Sequence, residues 1–324
     1  MKKLLALVLM LAVLLCSVSA LADTFKVAVV YENTIDDKGW CQAMDTGIKN
    51  AISMGYDISY SPIESTAPAD AQRVIDALVG EYDLIIVHGT QFMNALTPIA
   101  EENPDQVFAM GTSDSVLGDN IFTYMPQSEE PGYLNGIVAA MMSQNGNIGI
   151  VGPKDAGDAY RYVRGFIMGV RSVLGNEVNP AISFTGNFGD TAGASLIADN
   201  FINQGCDMLT GAAQQAVGAL SKVAAQNGNV RWVAQTLAQM TDFPEYTLCA
   251  ADYEYSAVVI EILKAMQNGT NGGVCIPMNY FNNGFIFENG ANLPEDVKAA
   301  VATALEGLRA APETVDFTSV EAYW

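Results

Sequence analysis

The chain is poor in the residues that most protein chemistry needs. It has one histidine, His88, in 324 residues, and only 15 Lys and Arg against 36 Asp and Glu, a net charge of −21. The shortage of cations excludes a nucleic-acid surface, because phosphate backbones are held by Lys and Arg and repelled by a chain of this sign. The five cysteines form no C-x-x-C pair, so the usual zinc and redox spacings are absent. No Gly-Lys-Ser/Thr phosphate loop, nucleophile elbow or aspartate-rich cluster occurs, and the sequence therefore presents no catalytic set, no metal set and no cofactor fingerprint. Long apolar runs are also missing. The run Leu4–Cys16 is about 13 residues, short of the ~20 that a bilayer span requires.

That run instead has the layout of an export signal. Lys2 and Lys3 precede it, and Ser17–Ala22 follows with Ala-Leu-Ala before Asp23, so residues 1–22 read as a signal peptide cleaved after Ala22. Cys16 would be a lipid-attachment site only if the residue before it were small, and it is Leu15. A free extracytoplasmic product, periplasmic or secreted to the cell surface, is the expectation, with membrane association only if Cys16 is lipidated. The remaining 302 residues carry a net charge of −23 and four cysteines, Cys41, Cys206, Cys249 and Cys275. In an oxidising compartment these could form two bridges in any of three connectivities, and their spacing does not choose among them.

What is present is one structural phrase stated twice. Apolar, β-branched runs begin near Phe25, Asp57, Tyr82 and Val107, and again near Asn147, Ala181, Cys206 and Val230. Each is followed by a helix-like stretch, among them Trp40–Ser53, Thr66–Val79 and Thr191–Asn203, or by a loop such as Gln235–Gln239, in steps of about 24–34 residues, which is the period of βα units. Runs such as Phe25–Tyr31 and Tyr82–Gly89 are almost uninterruptedly apolar, as strands buried on both faces of a parallel sheet are. The class is α/β, with two Rossmann-like lobes. Later runs at Tyr246–Ala250, Val274–Phe281 and Asn283–Phe287 imply that the chain re-crosses. The expected lobes are 23–125 plus 246–278, and 126–245 plus 279–324.

Ligands of open α/β sheets bind beyond the carboxyl ends of the strands, and this rule selects the loops. In the first, Asp36 and Asp37 precede Gly39, Trp40 and Cys41. The plain reading is a capped helix with Trp40 packed inward; the functional one is a carboxylate for ligand donors beside a flat stacking wall. His88 ends a strand and Gln91 follows it at a helix start. From the second half come Asn187 and Phe188, then Gln214, then Gln235 and Thr236, with Tyr253 after the next short strand.

The segment Val27–Asn50, through Asp36-Asp37-Lys38-Gly39-Trp40-Cys41-Gln42, resembles the basic membrane protein family, the purine-nucleoside-receptor-like substrate-binding proteins of ABC importers. Tyr133–Ala140, Gly149–Gly152, Arg164–Val170, Gly186–Asp190 and Asn283–Phe285 extend the likeness along the mature chain. The resemblance implies a type I periplasmic-binding-protein fold with a ligand cleft between two lobes, a small-molecule ligand that is often a nucleoside, and an ABC permease with its ATPase as partners. It also implies aromatic side chains from opposite lobes sandwiching a base, here Trp40 and Phe188, with Asp37 as a polar contact. Two positions depart from the family. Val233–Gln239 has no carboxylate near the sugar, and Tyr253 stands where a lysine is usual. Gln235, Thr236 and Gln239 would then supply neutral hydrogen bonds, reading a nucleoside-like or other flat heterocycle. The alternatives are a ligand-sensing module for a receptor or kinase and, less favoured for want of a catalytic set, a nucleoside or glycoside hydrolase using Asp36 or Asp37.

Overall fold

A computed structural model describes residues 24–311 and 315–324; the expected signal peptide and Cys16 lie outside them. Ten α-helices and twelve strands alternate through these residues. Strands β1 (Phe25–Val30), β2 (Ile58–Ile63), β3 (Leu84–His88), β4 (Val107–Gly111) and β5 (Ile121–Pro126) form one sheet. Strands β6 (Ile148–Gly152), β7 (Ala181–Phe184), β8 (Met208–Gly211), β9 (Arg231–Ala234) and β10 (Thr247–Tyr253) belong to the other. β11 (Val274–Met278) returns to the first sheet and β12 (Phe285–Asn289) to the second, giving the orders β11-β5-β4-β3-β1-β2 and β12-β10-β9-β8-β6-β7. Every pairing is parallel except that of β12 with β10.

The apolar runs become central strands because both sheet faces are covered. β3, β4 and β6 are buried at every residue. Side chains alternate: Val27, Val29, Leu84 and Ile86 face one core, and Ala28, Val30, Ile85 and Val87 the opposite one. The first of these cores also takes in Leu134, Phe166 and Met208 of the other lobe, so a continuous apolar mass runs under the cleft. Helices α1 (Trp40–Ser53) and α6 (Thr191–Asn203) have the bounds that their patterning predicts. α2 (Ala71–Asp76) is shorter than the expected Thr66–Val79, the residues after it forming turns up to Gly80. α3 (Met93–Glu102) is preceded by a 3-10 turn at Thr90–Phe92.

The closest helix pair is α4 (Glu129–Met142) with α5 (Gly157–Leu174). A Cβ on Gly165 would come within 2.0 Å of the Glu129 carbonyl oxygen, so only glycine lets the backbones approach this far.

One expectation is corrected. Of residues 246–278, assigned to the first lobe, Thr247–Tyr253 form β10 between β9 and β12 of the second sheet; the return crossing comes after Tyr253, where α9 (Tyr255–Gln267) packs on α1. Strand membership depends on partners remote in sequence, which the irregular pattern after residue 245 did not signal. The four cysteines are free thiols, three of them buried. Among the described residues no helix is long and apolar enough to cross a membrane.

Candidate ligand site

The carboxyl ends of the strands in both sheets open onto one cavity of about 290 Å³. Its first wall is Trp40, the opening residue of α1. Gly39 before it lies so close to Gln214 of the other lobe that a Cβ would meet the Gln214 Cα at 2.9 Å. The indole stacks on His88, with centroids 4.4 Å apart and planes 12° from parallel. Tyr253 and Tyr255 meet Trp40 edge-on at 5.4 and 5.6 Å. His88 is fully buried, with Nε2 3.1 Å from the Trp40 carbonyl oxygen and Nδ1 2.7 Å from the Tyr124 hydroxyl. A carbonyl only accepts, so Nε2 carries the proton and Nδ1 accepts from Tyr124. Burial pushes the imidazole pKa down to about 3, and the ring is a neutral plate supporting Trp40.

The facing wall belongs to the second lobe. Phe188, in the loop after β7, lines the cavity and packs against Ala159, Tyr162 and Ala212. The Lys154 ammonium, from the loop after β6, lies 5.6 Å from its ring centroid, within cation–π range. Glu32, the second residue beyond β1, accepts hydrogen bonds from Gln91 Nε2 (2.8 Å) and, across the cleft, from Gln214 Nε2 (3.3 Å). Burial raises its pKa and the Asp37 charge adds to this, while Gln214 and Lys154 oppose it.

The deepest polar feature is a chain of three side chains. Gln235 Oε1 accepts from the Ala213 backbone N–H at 2.8 Å, and its Nε2 donates to the Tyr253 hydroxyl at 2.8 Å. That hydroxyl donates to Asp158 Oδ2 at 2.5 Å. Burial raises the Asp158 pKa and the Tyr253 bond holds it back. The tyrosine at the family's lysine position therefore joins a carboxylate supplied by the start of α5.

Of the thirteen residues singled out from the sequence, Trp40, Gln91, Phe188, Gln214, Gln235, Thr236 and Tyr253 line this cavity, and Gln239 is buried away from it, accepting from the Trp232 indole N–H at 3.3 Å. The other five are elsewhere. Asp37 caps α1, accepting from the backbone N–H groups of Gly39, Gln42 and Cys41 at 2.9–3.2 Å. Asp36 is exposed on a neighbouring surface groove. Cys41 is fully buried in the core and His88 is buried against Trp40. Asn187 is exposed and closes a turn by accepting from the Gly189 N–H at 2.8 Å. Asp37, Cys41, His88 and Asn187 each answer a local need of the fold.

Thr236 has a second duty. It caps the short helix α8 (Leu237–Asp242), where the sequence pattern predicts only a loop, and its hydroxyl donates to the Lys38 carbonyl of the opposite lobe at 2.9 Å. Glu32, Thr112, Lys154 and Asp158 line the cavity without having been singled out. The available signal was position, since Glu32, Thr112 and Lys154 lie in loops after strands and Asp158 in the first turn of the helix that follows one. Among the described residues no three His, Cys, Asp or Glu side chains gather to hold a metal ion.

Residues 24–279 match the family model described as ABC transporter substrate-binding protein, PnrA-like. A Haloferax volcanii protein named as an ABC transporter glucose-binding protein is 27% identical over 296 residues, covering 88% of this chain and 72% of that one. A purine-binding protein of Brucella abortus is 24% identical over 251 residues, covering 76% and 70%. Among solved structures, an ABC transporter solute-binding protein from Conexibacter woesei superposes with a TM-score of 0.72 at 19% identity, over 92% of this chain and 98% of that one.

Proposed function

The chain belongs to the Bmp family of PnrA-like ABC transporter substrate-binding proteins, and from that premise we propose that it captures a small, flat heterocyclic solute of nucleoside-like kind outside the cytoplasm and presents it to an importer's permease. The observation that carries this reading is the pair of aromatic walls, Trp40 and Phe188, brought to one cavity from opposite lobes. At about 290 Å³ the cavity is at the small end of the ~300–1,000 Å³ usual for ligand pockets. Glu32 offers lone pairs to ring or exocyclic N–H donors. Two carboxylates against one lysine disfavour a strongly anionic ligand. The purine-binding relative fits this chemistry, and the glucose-named one makes a sugar the competing ligand.

Capture works by closure. The Thr236–Lys38, Gln214–Glu32 and Lys38–Asp242 contacts join opposite lobes and form only when the lobes meet. A ligand touching both walls adds affinity for that state alone and shifts the population toward it. The protein is a binder and not an enzyme: Asp37 is spent on a helix cap and His88 on a buried stack.

The test is thermal unfolding of residues 23–324 against nucleosides, free bases, flavins, sugars including glucose, and amino acids. A ligand at about 100 times its Kd adds about 2.7 kcal/mol, a rise of roughly 5–10 °C. The expected hits are nucleosides or bases. A response confined to sugars overturns the heterocycle, and turnover of a nucleoside that disappears in Asp37→Ala overturns the binding role.

A further inference from the structure

We infer that the C-terminal segment Val315–Trp324 is a strap that positions the Lys154–Asp158 loop of the cavity, so that ligand affinity depends on residues that touch no ligand. This loop supplies Lys154, Ala156, Gly157 and Asp158 to the cavity lining, yet Lys154–Gly157 are exposed and Gly157 has φ +60°. A segment of this kind needs an external tie to hold one conformation.

The tie is Asp155, whose side chain points away from the cavity. Its Oδ1 accepts from Arg164 Nη1 at 2.7 Å, and its Oδ2 accepts from Arg164 Nη2 and from the Trp324 indole N–H, each at 3.3 Å. The Arg164 guanidinium is 3.6 Å from the Tyr160 ring centroid and 4.8 Å from that of Trp324. Trp324 thus covers the buried Arg164 guanidinium that holds the loop, while a third of the Asp155 side chain stays open to water. Phe317 repeats the arrangement one turn away, with Arg161 4.8 Å from its ring centroid and Tyr160 edge-on at 5.9 Å. The strap is itself anchored: Val315 and Val320 are buried in the main core, and the Tyr323 hydroxyl donates to the Pro180 carbonyl at 2.9 Å.

The inference rests on the cavity being the ligand site, but its decisive test needs no ligand. Hydrogen exchange is compared for the wild type, Trp324→Ala and Trp324→Phe. The strap predicts that Trp324→Ala speeds exchange of the Tyr160 amide, which donates to the Ala156 carbonyl of the loop at 3.2 Å, by about tenfold or more, while β6, β8 and β9 keep their protection. Trp324→Phe, which keeps a ring but loses the indole N–H, falls between. Unchanged exchange at Tyr160 overturns the inference, and so does a rise spread over the whole second lobe, which would make Trp324 an ordinary stability residue. Inosine titration then reads the consequence: affinity falls about 3–10-fold in Trp324→Ala, the loss expected of a less preorganised loop. Failure of the wild type to bind inosine would count against the proposed ligand and leave the exchange result standing.

Discussion

Trp40 is held on three sides, by His88 stacked at 4.4 Å and by Tyr253 and Tyr255 at its edges. Its orientation is therefore set before any ligand arrives. Trp40→Ala removes one wall and should weaken the ligand identified by thermal shift about 10–100-fold, measured by calorimetry; an affinity within threefold of the wild type would remove Trp40 from the site. Tyr253→Phe takes the donor from Asp158 and the acceptor from Gln235. It should cost about 1–3 kcal/mol of stability because both partners are buried, lowering Tm by several degrees. At this scale, sequence alone could not sort the acidic residues. Asp37 lies in the loop just before α1 and Asp158 in the first turn of α5, both following a strand, yet one caps its own helix and the other borders the cavity. The difference is made by Tyr253, 95 residues from Asp158.

Elements were more legible than residues. A period-2 or period-3.6 pattern is local, so the strand–helix alternation and the bounds of α1 and α6 follow from it directly. α8 was missed because six residues are too few to display a helical period. β10 was placed in the wrong lobe because hydrogen bonds to β9 and β12 assign it. The α4–α5 crossing carries a prediction of its own. Gly165→Ala would drive a methyl group against the Glu129 carbonyl oxygen, which is backbone and cannot swing aside. It should destabilise by about 3 kcal/mol, lowering Tm by roughly 6–12 °C. A loss below 2 °C in a melting curve would mean that the two helices can separate without cost.

For the molecule as a whole, the buried carboxylates set the pH dependence. Burial raises Glu130 and Asp252 to about 7 and shifts Glu32, Glu129 and Asp158 in the same direction. Between pH 7 and the ordinary carboxylate range the folded state then binds more protons than the unfolded chain, so stability rises as pH falls. His88 acts oppositely: its pKa is lowered to about 3, so its contribution is present above ~6.5 and declines below it. The carboxylates outnumber the histidine, and Tm should be higher at pH 5.5 than at pH 8. A Tm that falls steadily over this interval would contradict the burial of Glu130 and Asp252, and Asp252→Asn should flatten the rise. The sequence by itself determined the α/β class and the twofold repetition, because periodicity and composition are carried by neighbours along the chain, while the family and the two aromatic positions came from its resemblance to known sequences. Only the tertiary structure decided the membership of β10, the Gln235–Tyr253–Asp158 chain, Glu32 and Lys154 as cavity residues, and the hold of Trp324 on Asp155. Each of these depends on two segments far apart in sequence meeting at one place, and that meeting is settled by packing and pairing over the whole fold.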